Sequence, residues 1–228
     1  MTIMAGPAGD RRGGVSADPL SLERIAAMLA FLLTLPLWIP VACIVVASVG
    51  RPILFRQTRS GLGGVPFTLC KFRTMTNERG ADGQLLPDRL RETAATRLLR
   101  RLRLDELPQL LAVALGDMSF FGPRPLLPET VEGFGERGRL RGLVRPGLTG
   151  WAQVSGNTRL SDAQKLSLDL WYIRHRSLAL NARILMRTAL VLLRGEHPDA
   201  GALRLAAAED DAARDAPASL AGPEASCR

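Results

Sequence analysis

From residue 25 to residue 49 the chain reads IAAMLAFLLTLPLWIPVACIVVASV, without a single charge and long enough to cross the hydrocarbon core of a bilayer. The length of this run, its late start and the lack of a clear small-residue cleavage site disfavour a cleaved signal peptide. A simple spanning helix is the default reading. Pro36 and Pro40 argue against it, because a straight helix loses hydrogen bonds at each. Basic residues also flank both ends: Arg11, Arg12 and Arg24 before, Arg51, Arg56 and Arg59 after. Positive charge favours the cytoplasmic face, so a helix that enters, breaks and returns stands beside the span as a second reading. Residues 1–18 are rich in Gly, Ala and Pro without periodicity, a mobile lead-in.

Beyond Gly50, ILFRQTRSGLGGVPFTLCKFRTM contains two β-rich runs around a glycine-containing loop, which predicts a hairpin. Alternation puts Lys71 and Arg73 on one strand face and Phe72 on the other, either a cationic site or an ordinary solvated face. The turn at residues 61–64 lacks the lysine and helix of a P-loop. Residues 77–87 are polar and turn-rich, a surface loop. A basic helix is predicted over residues 88–102, with Leu90, Ala94, Leu98 and Leu102 at helical spacing as its core face. A second helix begins between Leu104 and Leu107 and runs to Leu115, since Pro108 is tolerated only in a first turn and Gly116 suits a helix end. Residues 128–140 are short, charged and glycine-interrupted, with no clear element. Arg145, Pro146, Gly147 and Leu148 read as a type II turn. Trp151 is a core residue or a stacking surface. Ser161 and Gln164 form a capping box for a helix carrying Asp169, Trp171 and Tyr172. The last amphipathic segment, residues 178–194, places Arg183, Arg187 and Arg194 on one side. Leu180, Ile184, Leu185, Val191 and Leu192 lie largely opposite, which suits a membrane surface or a packed helix with a solvated face. From Glu196 onward the Ala-rich, acidic sequence reads as a disordered tail.

The candidate chemistry centres on the adjacent carboxylates Asp105 and Glu106, at a helix start where unpaired amides and the dipole favour anions. Arg97, Arg100, Arg101 and Arg103 precede them, and in Gly122-Pro123-Arg124-Pro125 one guanidinium sits between two stiffening prolines. Carboxylates facing converging arginines suit phosphate chemistry. Arg binds two phosphate oxygens with its planar fork, one carboxylate can hold Mg²⁺, and aspartate is a known nucleophile toward phosphorus. The ordinary alternative is that the pair merely starts a helix. Asp169 is a candidate second metal ligand or an arginine's partner.

With 228 residues, 46% of them hydrophobic, the chain supports one main domain with an appendage. A net charge of +8 and a pI near 10.8 imply an anionic partner: nucleic acid, an acidic membrane or a phosphorylated substrate. Nucleic acid is disfavoured, because only 5% of residues are aromatic and the apolar run would be left unexplained. Cys43, Cys70 and Cys227 have neither pairing nor metal-ligand spacing, as expected of a reducing compartment.

The motifs PILFRQTRSG, FTLCKFRTM, LDELPQL, GDMSFFGPRPLL, RPGLTGWAQVSG and LDLWYI, in that order, resemble the bacterial sugar transferase family, the monotopic phosphoglycosyl transferases. The resemblance runs from about Leu22 to Arg194 and is to the small, minimal form of that family. It implies transfer of a sugar-1-phosphate from a nucleotide sugar, usually a UDP-sugar, to a polyprenol phosphate such as undecaprenyl phosphate, releasing UMP through a covalent intermediate. In those terms Asp105 resembles the nucleophile and Glu106 the Mg²⁺ ligand, with Asp169 an acidic residue near the site. Lys71, Arg100 and Arg124, with Arg73 beside them, resemble phosphate-binding cations. Arg145, Pro146, Gly147 and Gln153 resemble a nucleotide-binding wall, and Pro36 the break of a re-entrant helix. Three positions depart from the pattern: Arg103 where a small hydroxyl residue is usual, Ala27 where an acid is, and Leu35 where a serine often precedes the break.

The expected architecture is therefore α+β and mainly helical, with a re-entrant membrane helix, a β-hairpin and a helical catalytic core bearing interfacial amphipathic helices. The expected division is a flexible 1–20, a membrane segment 21–50, a catalytic domain 51–195 and a disordered 196–228. Location at the bacterial inner membrane with the catalytic domain toward the cytoplasm, contact with membrane lipids, no nucleic-acid partner and pairing into a homodimer complete the expectation. The alternative function is a non-catalytic scaffold binding nucleotide sugars or anionic lipids.

Overall fold

The computed structural model describes residues 22–215, with side chains to residue 212; the lead-in expected over residues 1–20 and Cys227 lie outside the described residues. Helix α1 (Leu22–Val49) is long and apolar enough to cross a membrane. One narrow stripe of it, Ala27, Val41 and Val45, is buried, while Leu33 and Ile39 are 79% and 71% exposed. Pro36 and Pro40 lie inside this one helix and do not divide it, so the break expected at Pro36 is not a gap in the helix. The prolines remove two amide donors, and at Thr34 the side-chain hydroxyl donates to the Phe31 carbonyl 2.9 Å away.

The hairpin forms as expected, β1 (Leu54–Ser60) pairing antiparallel with β2 (Pro66–Phe72). The helix expected over residues 88–102 is instead two: α2 (Asp88–Arg91) and α3 (Ala94–Arg101). Glu92 is extended, and Thr93 begins α3 with a capping box completed by Thr96. That restart rotates the buried face. Leu99 is buried, whereas Ala94, Leu90, Leu98 and Leu102, expected in the core, are exposed. A 3₁₀ turn, Leu104–Glu106, leads to α4 (Gln109–Leu115), closed by Gly116 in the left-handed region. The acidic pair thus lies in the turn before α4, one step earlier than a first helical turn.

Strand β3 (Ser119–Phe121) follows, then α5 (Pro128–Gly133) and α6 (Glu136–Arg141) in the stretch left unassigned by sequence. The expected type II turn at residues 145–148 is a correction: Gly147 opens β4 (Gly147–Thr149), paired in parallel with β3. Gly147 does not have the positive φ such a turn needs at its third position. A side chain there would strike the Gly122 backbone, since a Cβ would sit 2.1 Å from the Gly122 nitrogen. After α7 (Trp151–Val154), the capping box of Ser161 and Gln164 starts α8 (Asp162–His175), and α9 (Leu178–Arg194) has the expected bounds. In α9, Leu180 and Ile184 enter the core while Leu185, expected on that face, is exposed with Met186 and Leu193.

The disorder expected from Glu196 is corrected over residues 200–215, and residues 216–228 of that stretch lie outside the described residues. Helix α10 (Ala200–Asp215) packs against α8, burying Ala202 and Ala206 beside Leu168 and Tyr172. Asp210 pairs with Arg137 and accepts a hydrogen bond from Ser167. Small residues four apart allow close helix approach and carry high helix propensity, so the Ala-rich composition supports a docked helix.

Ala206 is 1% exposed. Ala206→Glu would bury an unpaired carboxylate at a cost of about 3 kcal/mol or more. A drop of several degrees in unfolding temperature is expected, with the exposed neighbour Ala207→Glu unchanged; equal melting of the two variants would show that α10 is not docked.

Candidate active site

The carboxylates of Asp105 and Glu106 are 5% and 8% exposed and line one cavity of about 390 Å³. Burying two adjacent acids costs several kcal/mol unless cations or hydrogen bonds compensate. The compensation is unequal. Glu106 Oε2 accepts from Arg103 Nη1 and its Oε1 from Arg124 Nη1, each at 3.2 Å. Asp105 accepts no hydrogen bond from the described residues; it faces Lys71, Arg100 and Arg124 only through space.

That asymmetry separates the two acids chemically. Burial and the neighbouring Glu106 charge push the Asp105 carboxyl up to about 6, against the pull of Lys71, Arg100 and Arg124. Burial acts to raise Glu106 as well, but the Arg124 and Arg103 guanidiniums outweigh it and hold that carboxyl below the usual range. Burial lowers the Lys71 ammonium, opposed by Asp105.

Each cation arrives from a different element. Lys71 is near the end of β2, its ammonium 5.4 Å from the Phe55 ring centroid. Arg100, in the last turn of α3, is paired with Glu92. Arg103 precedes the 3₁₀ turn in the left-handed region, φ 55°. A non-glycine residue there costs about 1–2 kcal/mol, and the contact with Glu106 offsets it. Sequence placed Arg103 among the arginines beside the acid pair and noted the missing hydroxyl there; its specific contact with Glu106 was not foreseen.

Arg124 is placed by the backbone around it. The Gly122 amide donates to the Thr149 carbonyl and the Gly147 amide to the Pro123 carbonyl, both at 2.9 Å. Gly150 approaches so closely that a Cβ there would sit 2.0 Å from the Gly122 oxygen. Arg141 then donates to the Arg124 carbonyl through one nitrogen and to Asp169 Oδ2 through another, the latter at 2.8 Å. Asp169 is therefore the arginine's partner of the two sequence readings. It lines an adjoining cavity of about 210 Å³, which shares Arg124, Asn157 and Thr158 with the first, and burial pushes its carboxyl up against the pull of Arg141. Arg141 has no motif signal and sequence reasoning missed it.

The remaining candidates lie elsewhere. Arg73 donates to the carbonyls of Arg51 and Met75. Arg145 donates to the Gly116 carbonyl at 3.0 Å, at the C-terminal end of α4. Pro146 and Gly147 form the β3–β4 junction, and Gln153 is buried, donating to the Leu148 carbonyl and lining the smaller cavity with Asp169. Trp151 is core, stacked on Trp171, with the Arg187 guanidinium over its ring.

Among the described residues no group of three or more His, Cys, Asp or Glu side chains could hold a metal. The pair Asp105 and Glu106 fits the other mode open to Mg²⁺, in which one or two carboxylates and the substrate's own phosphate oxygens complete the shell.

What these cations can hold together is a phosphate-bearing substrate, the ligand of a phosphotransferase. Residues 20–195 match the family described as bacterial sugar transferases, and the protein belongs to that family. It is similar to the uncharacterized sugar transferase EpsL of Bacillus subtilis, 48% identical over 65% of this chain and 74% of that protein. It is also similar to the UDP-glucose:undecaprenyl-phosphate glucose-1-phosphate transferase of Caulobacter vibrioides, 40% identical over 75% of this chain and 68% of that protein. A third relative is the UDP-N-acetylgalactosamine-undecaprenyl-phosphate N-acetylgalactosaminephosphotransferase of Aeromonas hydrophila, 35% identical over 76% of this chain but only 43% of that protein.

Since Asp105 is raised from 3.8 to about 6, the native protein holds that proton more tightly than the unfolded chain does. Its contribution to stability falls as pH rises between those values and stays at its lowest above them, a penalty of about 3 kcal/mol. In metal-free buffer Asp105→Asn should raise the unfolding temperature at pH 7.5, the gain shrinking toward zero near pH 4. Identical melting of the variant and the wild type at pH 7.5 would show that the charge is not strained.

Proposed function

We propose that the protein transfers a sugar-1-phosphate from a UDP-sugar to a polyprenol phosphate such as undecaprenyl phosphate, releasing UMP, as a first membrane step of polysaccharide or glycoconjugate assembly. The observation that carries this is the buried, unbonded Asp105 carboxylate facing Lys71, Arg100 and Arg124. Those cations neutralise a diphosphate's oxygens, which a carboxylate nucleophile requires. An Asp105 oxygen attacks the sugar-bearing phosphorus, the bond to the bridging oxygen breaks, and UMP leaves as an anion. In the second half-reaction an oxygen of the lipid phosphate attacks the same phosphorus and frees the Asp105 carboxylate. Glu106 would hold Mg²⁺, which would supply charge neutralisation on the phosphate oxygens. Arg103 and Arg124 keep Glu106 ionised and in place for it.

The acceptor's lipid tail is supported by a second, largely apolar cavity of about 540 Å³ that shares Arg103 and Glu106 with the first and is lined by Leu107, Leu110, Phe121 and Leu192. A monotopic arrangement, with the catalytic domain on the cytoplasmic side of the inner membrane, is supported by α1. At its start Arg24 donates to the Ala114 and Leu115 carbonyls and Glu23 accepts from the Phe120 amide at 2.7 Å. Toward its other end Val41 and Val45 pack on Phe72 and Leu99. A helix of 28 residues is roughly 42 Å long, more than the hydrocarbon core of about 30 Å. Contacts of both its ends with one domain support a helix that enters and returns on the same side. A homodimer paired through this helix is part of the same proposal.

Purified protein with Mg²⁺ and its UDP-sugar should release UMP, and Asp105→Asn should lower that rate by about 10³-fold or more. Incubation with donor and no lipid acceptor should add one sugar phosphate to the intact mass. Undiminished release by the variant would remove Asp105 as nucleophile, and nucleotide-sugar binding without release would favour a scaffold. Tags at residues 5 and 60 should both be accessible from the cytoplasm; protection on opposite sides would rule out the monotopic arrangement.

A further inference from the structure

The wall of the catalytic cavity has two chemistries. Lys71, Arg100, Arg103 and Arg124 offer donors only, which suits the acceptor-only oxygens of a diphosphate. The rest of the wall includes Asn157, Thr158 and Glu196, which offer mainly acceptors. Glu92, also in this wall, is paired with Arg100, whereas Glu196 accepts from the uncharged Asn157 and Thr158. On the sugar-phosphate reading, which this inference rests on, the sugar is bonded to the phosphorus under attack and so must share the cavity. Its hydroxyls and any amide N–H need acceptors.

We infer that Asn157, Thr158 and Glu196 form the subsite for the donor's sugar and that Glu196 sets which pattern of sugar hydroxyl and amide groups is accepted. Glu196 is held ready for this. Its Oε1 accepts from Asn157 Nδ2 and its Oε2 from the Thr158 amide and hydroxyl, leaving Oε1 a free lone pair. The side-chain oxygen of Asn157, Oδ1, accepts no hydrogen bond from the described residues, and Thr158 is exposed. Arg103 and Asn157 are the non-glycine residues at positive φ among those described, and both line this cavity. The segment bearing Glu196 is fastened at Asp199, whose amide donates to the Ser155 carbonyl at 3.0 Å and whose carboxylate pairs with Arg187.

Glu196 is the residue that follows the end of the family match, residues 20–195. Relatives matching much of the chain are named for UDP-glucose and for UDP-N-acetylgalactosamine, so a common phosphate site serves different sugars. The choice between sugars then rests on side chains beside the phosphate site, where Asn157, Thr158 and Glu196 lie.

The test uses the full chain in nanodiscs with Mg²⁺ and four donors, UDP-glucose, UDP-galactose, UDP-N-acetylglucosamine and UDP-N-acetylgalactosamine, with GDP-glucose as a base control and UMP or GMP release as the readout. Glu196→Gln, and separately Thr158→Val at an exposed position, should change the ratio of kcat/KM between the best donor and its poorest accepted relative by about tenfold. Asp105-linked adduct formation should remain. An equal fall for every UDP-sugar would make the wall merely structural and overturn the inference. A change in UDP-glucose against GDP-glucose with sugar ratios intact would assign the wall to the base, also overturning it. Wild-type protein that turns over no donor would remove the transfer reading and this inference together, whereas an unchanged sugar ranking in active variants removes the inference alone.

Discussion

Two adjacent carboxylates withdrawn from water impose the constraint that the rest of this structure answers. Neither can be neutral by default and both cannot be charged at no cost, so the surroundings treat them differently. Glu106 receives two guanidiniums and stays ionised. Asp105 receives none directly and becomes the more basic of the two. On the proposed transfer, the same asymmetry suits Glu106 to hold a metal and Asp105 to attack phosphorus. The compensating cations come from β2, α3, the residue before the 3₁₀ turn and the loop after β3, so the site exists only when these elements are assembled.

Assembly is organised along α4. The acidic turn precedes it, and at its other end two distant arginines, Arg24 from the membrane helix and Arg145 from before β4, donate to the carbonyls of residues 114–116. Cations there complement the helix dipole as well as the unpaired carbonyls. Arg145 was expected to face a nucleotide; at the helix end it joins β4 to α4. Through Arg24 the start of the apolar helix is tied to the end of α4, and through Glu23 to the Phe120 amide in β3.

Much of this was legible in the sequence wherever one local rule decided the outcome. The hairpin followed from alternation, α8 from its Ser161–Gln164 box, α9 from its apolar periodicity, and the acid pair from the proline behind it. Reading failed where a distant partner decided. Leu90, Leu98 and Leu102 have helical spacing, but the capping box at Thr93 restarts the helix and selects Leu99 instead. Arg145-Pro146-Gly147 has turn composition, yet Gly147 is small because another glycine backbone lies against it. Arg141 carries no motif, and its role is visible only once Asp169 and the Arg124 carbonyl are seen on either side of it.

The C-terminal helix shows why composition alone misleads. An Ala-rich, acidic stretch lacks the large apolar residues expected of a core element, and so reads as unable to offset its ordering entropy. What α10 needs is little area but close approach. Ala202 and Ala206 let its backbone reach α8, and its acids meet arginines already waiting there, Asp210 with Arg137 and Glu209 with Arg174. Helix α10 begins one residue after Asp199, whose amide bonds the Ser155 carbonyl, so docking the helix also holds Glu196 against Asn157 and Thr158. A segment that looks dispensable by composition is thereby coupled, through three short contacts, to the wall of the catalytic cavity.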